Sequence, residues 1–487
     1  MEKQDQFFDS TAESPKGDTT KVEGGQPSST GYVVPKGWEE RKEAFPAITM
    51  EEIAKEENLR RAFKKVKANR GAPGHDGKTV DEVWEKLGEI IAKVRRELLA
   101  GVYQPGAIRR VWIPKSGGEQ RGLGIPNVVD RMVQQAVLEI MSPHYEPYFH
   151  PSSHGFRPGK SCHTAIAEAK RHVEEGCDWV VDIDLEKYFD QVNHHRLLSR
   201  LGNKISDKRV VKLIQRMLES SVVMPDGVVV GTEEGVPQGG PLSCLLSNIV
   251  LDELDWELDA RGHRFVRYAD DQNIYVRSER AGHRVMESVR QFIEKRLKLR
   301  VNATKSAVAK TEERHFLGFR LERDPMEGEV SVRLSKRSKK RIDDKIREKT
   351  PRNWGSSLNK CIGKLNEYLT GWVEFFKVCS ERERGIFESI DAHTRRRLRA
   401  LILKQCKRKR HIARKLIQLG VRPKTAWNSV YRGRQSLWAL SHIAAVERGL
   451  RNAYFAKRGL VSLAASWDRL NPKTVVTVPV QLSLDLG

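Results

Sequence analysis

Leu59, Ala62, Phe63 and Val66 recur at intervals of three and four residues. That spacing predicts an amphipathic helix. Its other face carries Arg60, Arg61, Lys64, Lys65, Lys67 and Arg70. Residues 71–77 are dense in glycine, proline and aspartate and read as a loop. A second helix follows over roughly 80–99. Short apolar, β-branched runs at 108–114, 179–184, 228–231, 264–268 and 273–276 predict strands, with helical stretches between them. Strands and helices mixed in this order predict an α+β core ending near residue 325. Beyond residue 335 the pattern is helical without strands. There Leu358, Ile362, Leu365, Leu369, Trp372 and Phe376 form one seam, read as core packing. Residues 1–45 are poor in large apolar side chains and are expected to be a disordered leader.

Composition adds a partner to this outline. The chain has 487 residues and a net charge of +23. Residues 1–330 are nearly balanced, with 51 Lys+Arg against 52 Asp+Glu. Residues 331–460 hold 34 against 10, so one segment carries the whole excess. Such asymmetry points to a polyanion, nucleic acid before a membrane surface. No run of apolar residues is long enough for a transmembrane span, and the first residues lack the apolar stretch of a secretory signal. The six cysteines form no CxxC pair. That disfavours a zinc ribbon and a thioredoxin motif, and it fits a reducing cytosol.

The sharpest chemistry is acidic. Asp270 and Asp271 lie between two apolar runs, an arrangement that suits a hairpin with carboxylates at its tip. Asp182 and Asp184 would share one face of a strand, since side chains alternate. With both strands in one sheet, carboxylates from distant parts of the chain can converge. Crowded carboxylates repel unless a cation offsets the cost. Nucleotidyl transfer needs such a site, with two divalent ions about 3.5–4 Å apart. The bland alternative for any one pair is a solvated turn.

Several ordered blocks then resemble one family, the reverse transcriptase/maturases of bacterial group II introns. Tyr268-Ala269-Asp270-Asp271 resembles the YADD box of that family. Asp184 with Phe189-Asp190 resembles the first catalytic block, and Gly235 to Ser243 the PQGG block. Ile113-Pro114-Lys115 with Arg121 to Pro126, and then Ser153 to Ser161, resemble the fingers blocks. Leu297-x-Leu299-x-x-Asn302-x-x-Lys305 and Phe316-Leu317-Gly318-Phe319 match the last palm blocks, and the stretch around Trp372 resembles the thumb or maturase region.

The resemblance implies a right-hand polymerase: fingers, a palm with an antiparallel sheet, a helical thumb, then a basic helical domain. The implied catalytic residues are Asp184, Asp270 and Asp271, holding two Mg2+ ions together with Leu185. Lys115, Arg121, Phe189 and Gln238 would bind the incoming dNTP, with Phe189 excluding a 2′-hydroxyl. Standing alone, Phe189 reads as plain core and Lys115 and Arg121 as solvated surface; the order and spacing of the blocks favour the functional reading. Arg60, Arg61, Lys64, Arg70, Arg157 and Lys305 would meet template or RNA. So would Arg395, Arg396, Arg397, Lys407, Arg408, Lys409 and Arg410 in the cationic segment. There Trp354, Trp372, Trp427 and Trp438 are interleaved with the cations, where aromatics can stack on unpaired bases or be buried core. The adjacent histidines His194 and His195 receive no role.

The implied boundaries are 46–325 for fingers and palm, 326–400 for thumb/maturase, 401–475 for the basic region and 476–487 for a tail. The implied partners are group II intron RNA in a ribonucleoprotein, a DNA target with its primer, and dNTPs, with no membrane. The setting would be the bacterial cytoplasm, at the nucleoid during action on DNA. Beyond residue 400 only Cys406, His411 and His442 could ligate as Cys or His, so no endonuclease domain is expected. Target-primed synthesis would then use a primer from elsewhere, such as a nascent strand. Two alternatives stay open: a domesticated repair or defence reverse transcriptase, and an RNA-binding splicing factor without polymerase activity.

Overall fold

The computed structural model describes residues 45–114, 120–351, 353, 355–432 and 436–472. The expected leader (but for Phe45), Lys115, Trp354 and the tail 476–487 lie outside the described residues. The chain divides into two compact units. Of the described residues, the first holds those of 45–317 together with 325–328, and the second holds 318–324 and those of 329–472.

In the first unit the cationic helix forms as Glu56–Ala68 and buries Leu59, Ala62, Phe63 and Val66. The helix expected over 80–99 is two helices, Val80–Glu85 and Leu87–Leu99. The break comes at Lys86, where the backbone leaves helical angles. Strands β1 (Ile108–Pro114) and β2 (Gln120–Ile125) form an antiparallel hairpin. Strand β3 is Trp179–Ile183; β4 (Val222–Val223) and β5 (Val229–Val230) are two-residue strands. Strands β6 (Arg264–Tyr268) and β7 (Asp271–Val276) make the acidic hairpin, and β8 is Ala307–Lys310.

Two sheets result, ordered β2-β1-β4-β5 and β6-β7-β3-β8. The second is antiparallel throughout, with β3 between β7 and β8. Helices Cys162–Glu174 and Glu279–Phe292 pack on it. In this unit sequence periodicity missed β2, β4 and β8. β2 is interrupted by Gly122 and Gly124, β4 has two residues, and β8 is a short alanine-containing edge.

The second unit opens with a hairpin of β9 (Phe319–Arg323) and β10 (Val330–Leu334). Among the described residues, every regular element after β10 is a helix. The predicted seam falls on helix Leu358–Phe375, where Ile362, Leu365, Leu369 and Trp372 are buried. Helices Lys409–Gln418 and Pro423–Arg432 pack against each other across a tight turn containing Gly420 at φ +86°. No helix among the described residues is long and apolar enough to cross a membrane.

Candidate active site

Pairing of β3 with β7 sets Asp182 opposite Asn273 and Ile183 opposite Gln272. Asp184, one residue past β3, therefore arrives at the end of the sheet where Asp271 opens β7. The carboxylates share one field. Burial pushes the Asp182 carboxyl up, Arg314 opposes that rise, and the charges of Asp271 and Asp184 add to it. Arg314 Nε donates to Asp182 Oδ2 at 2.9 Å, so an ion pair engages that oxygen. Arg314 also donates to the Lys305 carbonyl at 2.9 Å, tying that segment to the sheet.

A turn buttresses Asp184. The Asn302 amide donates to the Asp184 carbonyl at 2.8 Å, and the Asp184 amide donates to Ser306 Oγ at 3.0 Å. Asn302 Oδ1 in turn accepts from the amides of Thr304 and Lys305. An antiparallel bridge joins Leu185 to Val301, using the carbonyls of Asp184 and Arg300. Carbonyls alternate along an extended strand, so that of Leu185 faces away from this bridge. The Leu185 side chain is buried and apolar, which leaves the carbonyl as its one possible ligand atom.

The acidic hairpin turns at Ala269, whose φ is +58°. A left-handed alanine costs about 1 kcal/mol. The chain around Gly155 packs against this turn: a Cβ at Gly155 would lie 2.2 Å from the Ala269 nitrogen. Asn248 Nδ2 donates to the Gly155 carbonyl at 2.9 Å, and Ser153 bridges to Arg267 in parallel. The fingers block thus forms a strap along β6. His154 fixes the strap through Glu168, with Nε2 and Oε2 2.7 Å apart. Burial opposes ionisation of Glu168, but hydrogen bonds from His154 and Ser152, with His172 Nε2 3.7 Å away, outweigh it and hold its carboxyl below the usual range.

These residues fit a hard divalent ion. Asp184, Asp270 and Asp271 offer only carboxylate oxygens, the ligands Mg2+ prefers. Among the described residues no three His, Cys, Asp or Glu side chains close into a cage by themselves. Substrate phosphates would have to complete such shells, which is usual for Mg2+.

Two expected dNTP residues meet. Arg121 Nε donates to Gln238 Oε1 at 2.9 Å, and the Gly124 amide donates to the Gln238 carbonyl at 2.8 Å. The close approach needs glycine, since a Cβ at Gly239 would stand 2.6 Å from the Gly124 oxygen. Phe189 is buried, beside Tyr188, in the short turn Tyr188–Asp190, and its carbonyl accepts from the Val236 amide at 2.6 Å. Lys115 lies outside the described residues.

The RNA-binding expectations divide. Arg60, Arg61, Lys64 and Arg70 are exposed, with Arg60 on Glu56 and Arg61 on Asn58. Lys305 is partly buried. Arg157 requires correction. Its side chain is 6 % exposed and bonds Glu146 and the carbonyls of His150 and Ser153. It closes the base of the strap, so its guanidinium does not face solvent phosphates. Arg397 likewise turns inward, to Thr350. Arg396 lies 4.1 Å over the Trp438 ring, and with Arg395 it lines a cavity of about 690 Å³. Lys407, Arg408 and Arg410 are exposed, and Lys409 is 5.9 Å from the Tyr431 ring.

Sequence reasoning missed the support beneath the hairpin. Helix Ser243–Ala260 buries Asn248, Asp252 and Asp255 among leucines. Their spacing of four and three residues puts them on one face, and that polar stripe was the available signal. Asp252 is wholly buried, and its Oδ2 has no hydrogen-bond partner. Its carboxyl is pushed up to about 7, by burial first and by Asp255 second, against Arg200 and Arg267. Folding therefore favours the protonated acid. This contribution is complete below the ordinary value of 3.8 and lost as pH rises through about 7. Between pH 4 and pH 8 the stability of Asp252→Asn relative to wild type should rise by up to about 4 kcal/mol. Parallel pH profiles in chemical denaturation would refute this.

Residues 113–321 match the family described as "Reverse transcriptase (RNA-dependent DNA polymerase)", and residues 339–417 match "Group II intron, maturase-specific domain". Protein YkfC of Escherichia coli (strain K12) is 34 % identical over 354 residues, 64 % of this chain and 90 % of that protein. The group II intron-encoded protein LtrA of Lactococcus lactis subsp. cremoris is 39 % identical over 197 residues. That match covers 40 % of this chain and 32 % of LtrA. The putative COX1/OXI3 intron 2 protein of Saccharomyces cerevisiae is 32 % identical over 200 residues, 41 % of this chain and 23 % of that protein.

Proposed function

The chain belongs to the family of group II intron reverse transcriptase/maturases, and on that premise we propose that it copies intron RNA into DNA from a primer at a DNA target and promotes splicing of the same RNA. The observation that carries the polymerase half is the β3–β7 pairing, which sets Asp184 beside the Asp270-Asp271 turn. We assign Asp184, Asp270, Asp271 and the Leu185 carbonyl to two Mg2+ ions, which when bound would activate the primer 3′-hydroxyl and neutralise the leaving pyrophosphate. Arg121, aligned by Gln238, would hold the triphosphate with Lys115 through charge-assisted hydrogen bonds. Exposed Lys407, Arg408 and Arg410 would meet RNA or DNA phosphates, giving binding that weakens steeply with salt. The setting we assign is the bacterial cytoplasm, at the nucleoid during DNA synthesis.

Phe189 is the residue we assign to sugar selection. In Phe189→Val the preference for dNTP over rNTP should fall by roughly tenfold or more, the scale on which pocket shape discriminates. Single-nucleotide incorporation kinetics measure it, and an unchanged ratio would make Phe189 simple core.

Primer extension on an RNA template with dNTPs and Mg2+ tests the function as a whole. Synthesis is expected. Its absence across salts and primers, with RNA binding intact, would leave an RNA-binding splicing factor.

A further inference from the structure

The acidic hairpin rests on a side chain that no motif brings forward. Arg267 lies in β6, next to Tyr268, and it is entirely buried together with its partner Asp255. Its Nε donates to Asp255 Oδ1 at 2.8 Å, and Nη2 donates to Asp255 Oδ2 at 2.5 Å and to Ser153 Oγ at 2.7 Å. Nη1 donates to Asn248 Oδ1 at 3.0 Å and to the Ala269 carbonyl at 2.8 Å. A guanidinium has five N–H donors, and these bonds engage all of its nitrogens. They join four separate places: the strap, helix Ser243–Ala260 at two positions, and the turn itself.

The contact to Ala269 is the informative one. Ala269 is the residue in the left-handed region, and it immediately precedes Asp270. Its carbonyl belongs to the peptide unit that leads into Asp270, so fixing that oxygen fixes the plane from which Asp270 departs. The Asp255 carboxylate holds the guanidinium from the other side. Burial disfavours the charge on Arg267, and Asp255 more than restores it. Lysine has no planar fork and could not span Asp255, Ser153, Asn248 and Ala269 together.

We propose that Arg267 is a positioning residue for nucleotidyl transfer. It locks the Ala269 peptide so that the Asp270 and Asp271 carboxylates are presented together with Asp184. The inference rests on the polymerase reading of this site. It concerns how the aspartates are aimed, and so separates from whether they are used.

The test uses the full chain and two variants, Arg267→Lys and a double variant. Arg267→Lys keeps the charge and loses the fork. Arg267→Met alone would strand the Asp255 carboxylate and could unfold the protein. Arg267→Met combined with Asp255→Leu removes both buried charges, a replacement that proteins often tolerate. In Arg267→Lys and in the double variant, kcat for primer extension should fall about a hundredfold, the usual cost of an ångström of misplacement. KM for dNTP and Kd for primer–template should stay within about twofold of wild type, since positioning acts on the chemical step.

Mn2+ binding to the free protein, followed by electron paramagnetic resonance, gives a readout that needs no turnover. Affinity should weaken by about tenfold or more, as for residues that orient metal ligands. A double variant that melts near the wild-type temperature, with wild-type kcat and Mn2+ affinity, overturns the proposal. So does a loss of kcat fully explained by unfolding, with Mn2+ affinity unchanged in the folded fraction. A wild type that extends no primer would instead sink the polymerase reading, and the Mn2+ measurement would still decide the role of Arg267.

Discussion

Asp270→Asn and Asp271→Asn are each expected to abolish DNA synthesis while leaving the protein folded and bound to RNA. Both changes keep side-chain shape and remove the charge that balances a divalent ion. A metal clamp contributes several kcal/mol to transition-state stabilisation. At tenfold per ~1.4 kcal/mol, the loss is about a thousandfold or more. Folding should survive, because each neutral amide relieves carboxylate repulsion in the turn. RNA binding should survive because the cationic excess lies in residues 331–460, outside the sheet that carries these aspartates. Primer extension beside a filter-binding assay separates the two activities. Undiminished synthesis in either variant would remove that aspartate from the metal site.

Among the described glycines, Gly155 is where an added methyl group, as in Gly155→Ala, should do most damage. The added Cβ would sit 2.2 Å from the Ala269 nitrogen and 2.9 Å from its Cα. Both are backbone atoms, so no side chain can swing aside. The strap is pinned by Asn248 on the Gly155 carbonyl and by the bridge to β6. Either the strap or the Ala269 turn must move. Overpacking of this kind costs about 2 kcal/mol or more, and here the displaced atoms aim Asp270. Thermal melting should fall by several degrees, and synthesis should fall further than the unfolded fraction explains. Wild-type melting and wild-type synthesis together would show that the strap is not packed on the turn as described.

These two predictions draw on different amounts of sequence information. The aspartate pair was visible at once, because two acids between two apolar runs are a local pattern. The runs at 108–114 and 264–268 form strands with the same limits. The heptad seam and the cationic helix face were equally local. The damage expected at Gly155 was not visible. Nothing in a Ser-His-Gly-Phe run states which backbone will lie against it.

Arg157 shows the same limit from the other side. Its position in a recognisable block suggested a contact with RNA, yet the fold turns it onto Glu146 and two carbonyls. A charge in the sequence has no sign of direction until packing decides which side is water. Asp252 and Asp255 sit at helical spacing among leucines, but their burial under β6 comes from the tertiary arrangement.

The sequence by itself determined most of the local elements, the segregation of charge into residues 331–460, and which acids are candidates for holding a metal. Periodicity reports faces, and composition reports partners; both act over a few neighbouring residues. Only the tertiary structure decided that β3 pairs with β7, that Arg121 meets Gln238 across 117 residues of chain, and that Arg267 underpins the Ala269 turn. Strand register and buried hydrogen bonding are settled by the whole set of packed elements at once. Each buried donor must find an acceptor wherever the fold delivers one.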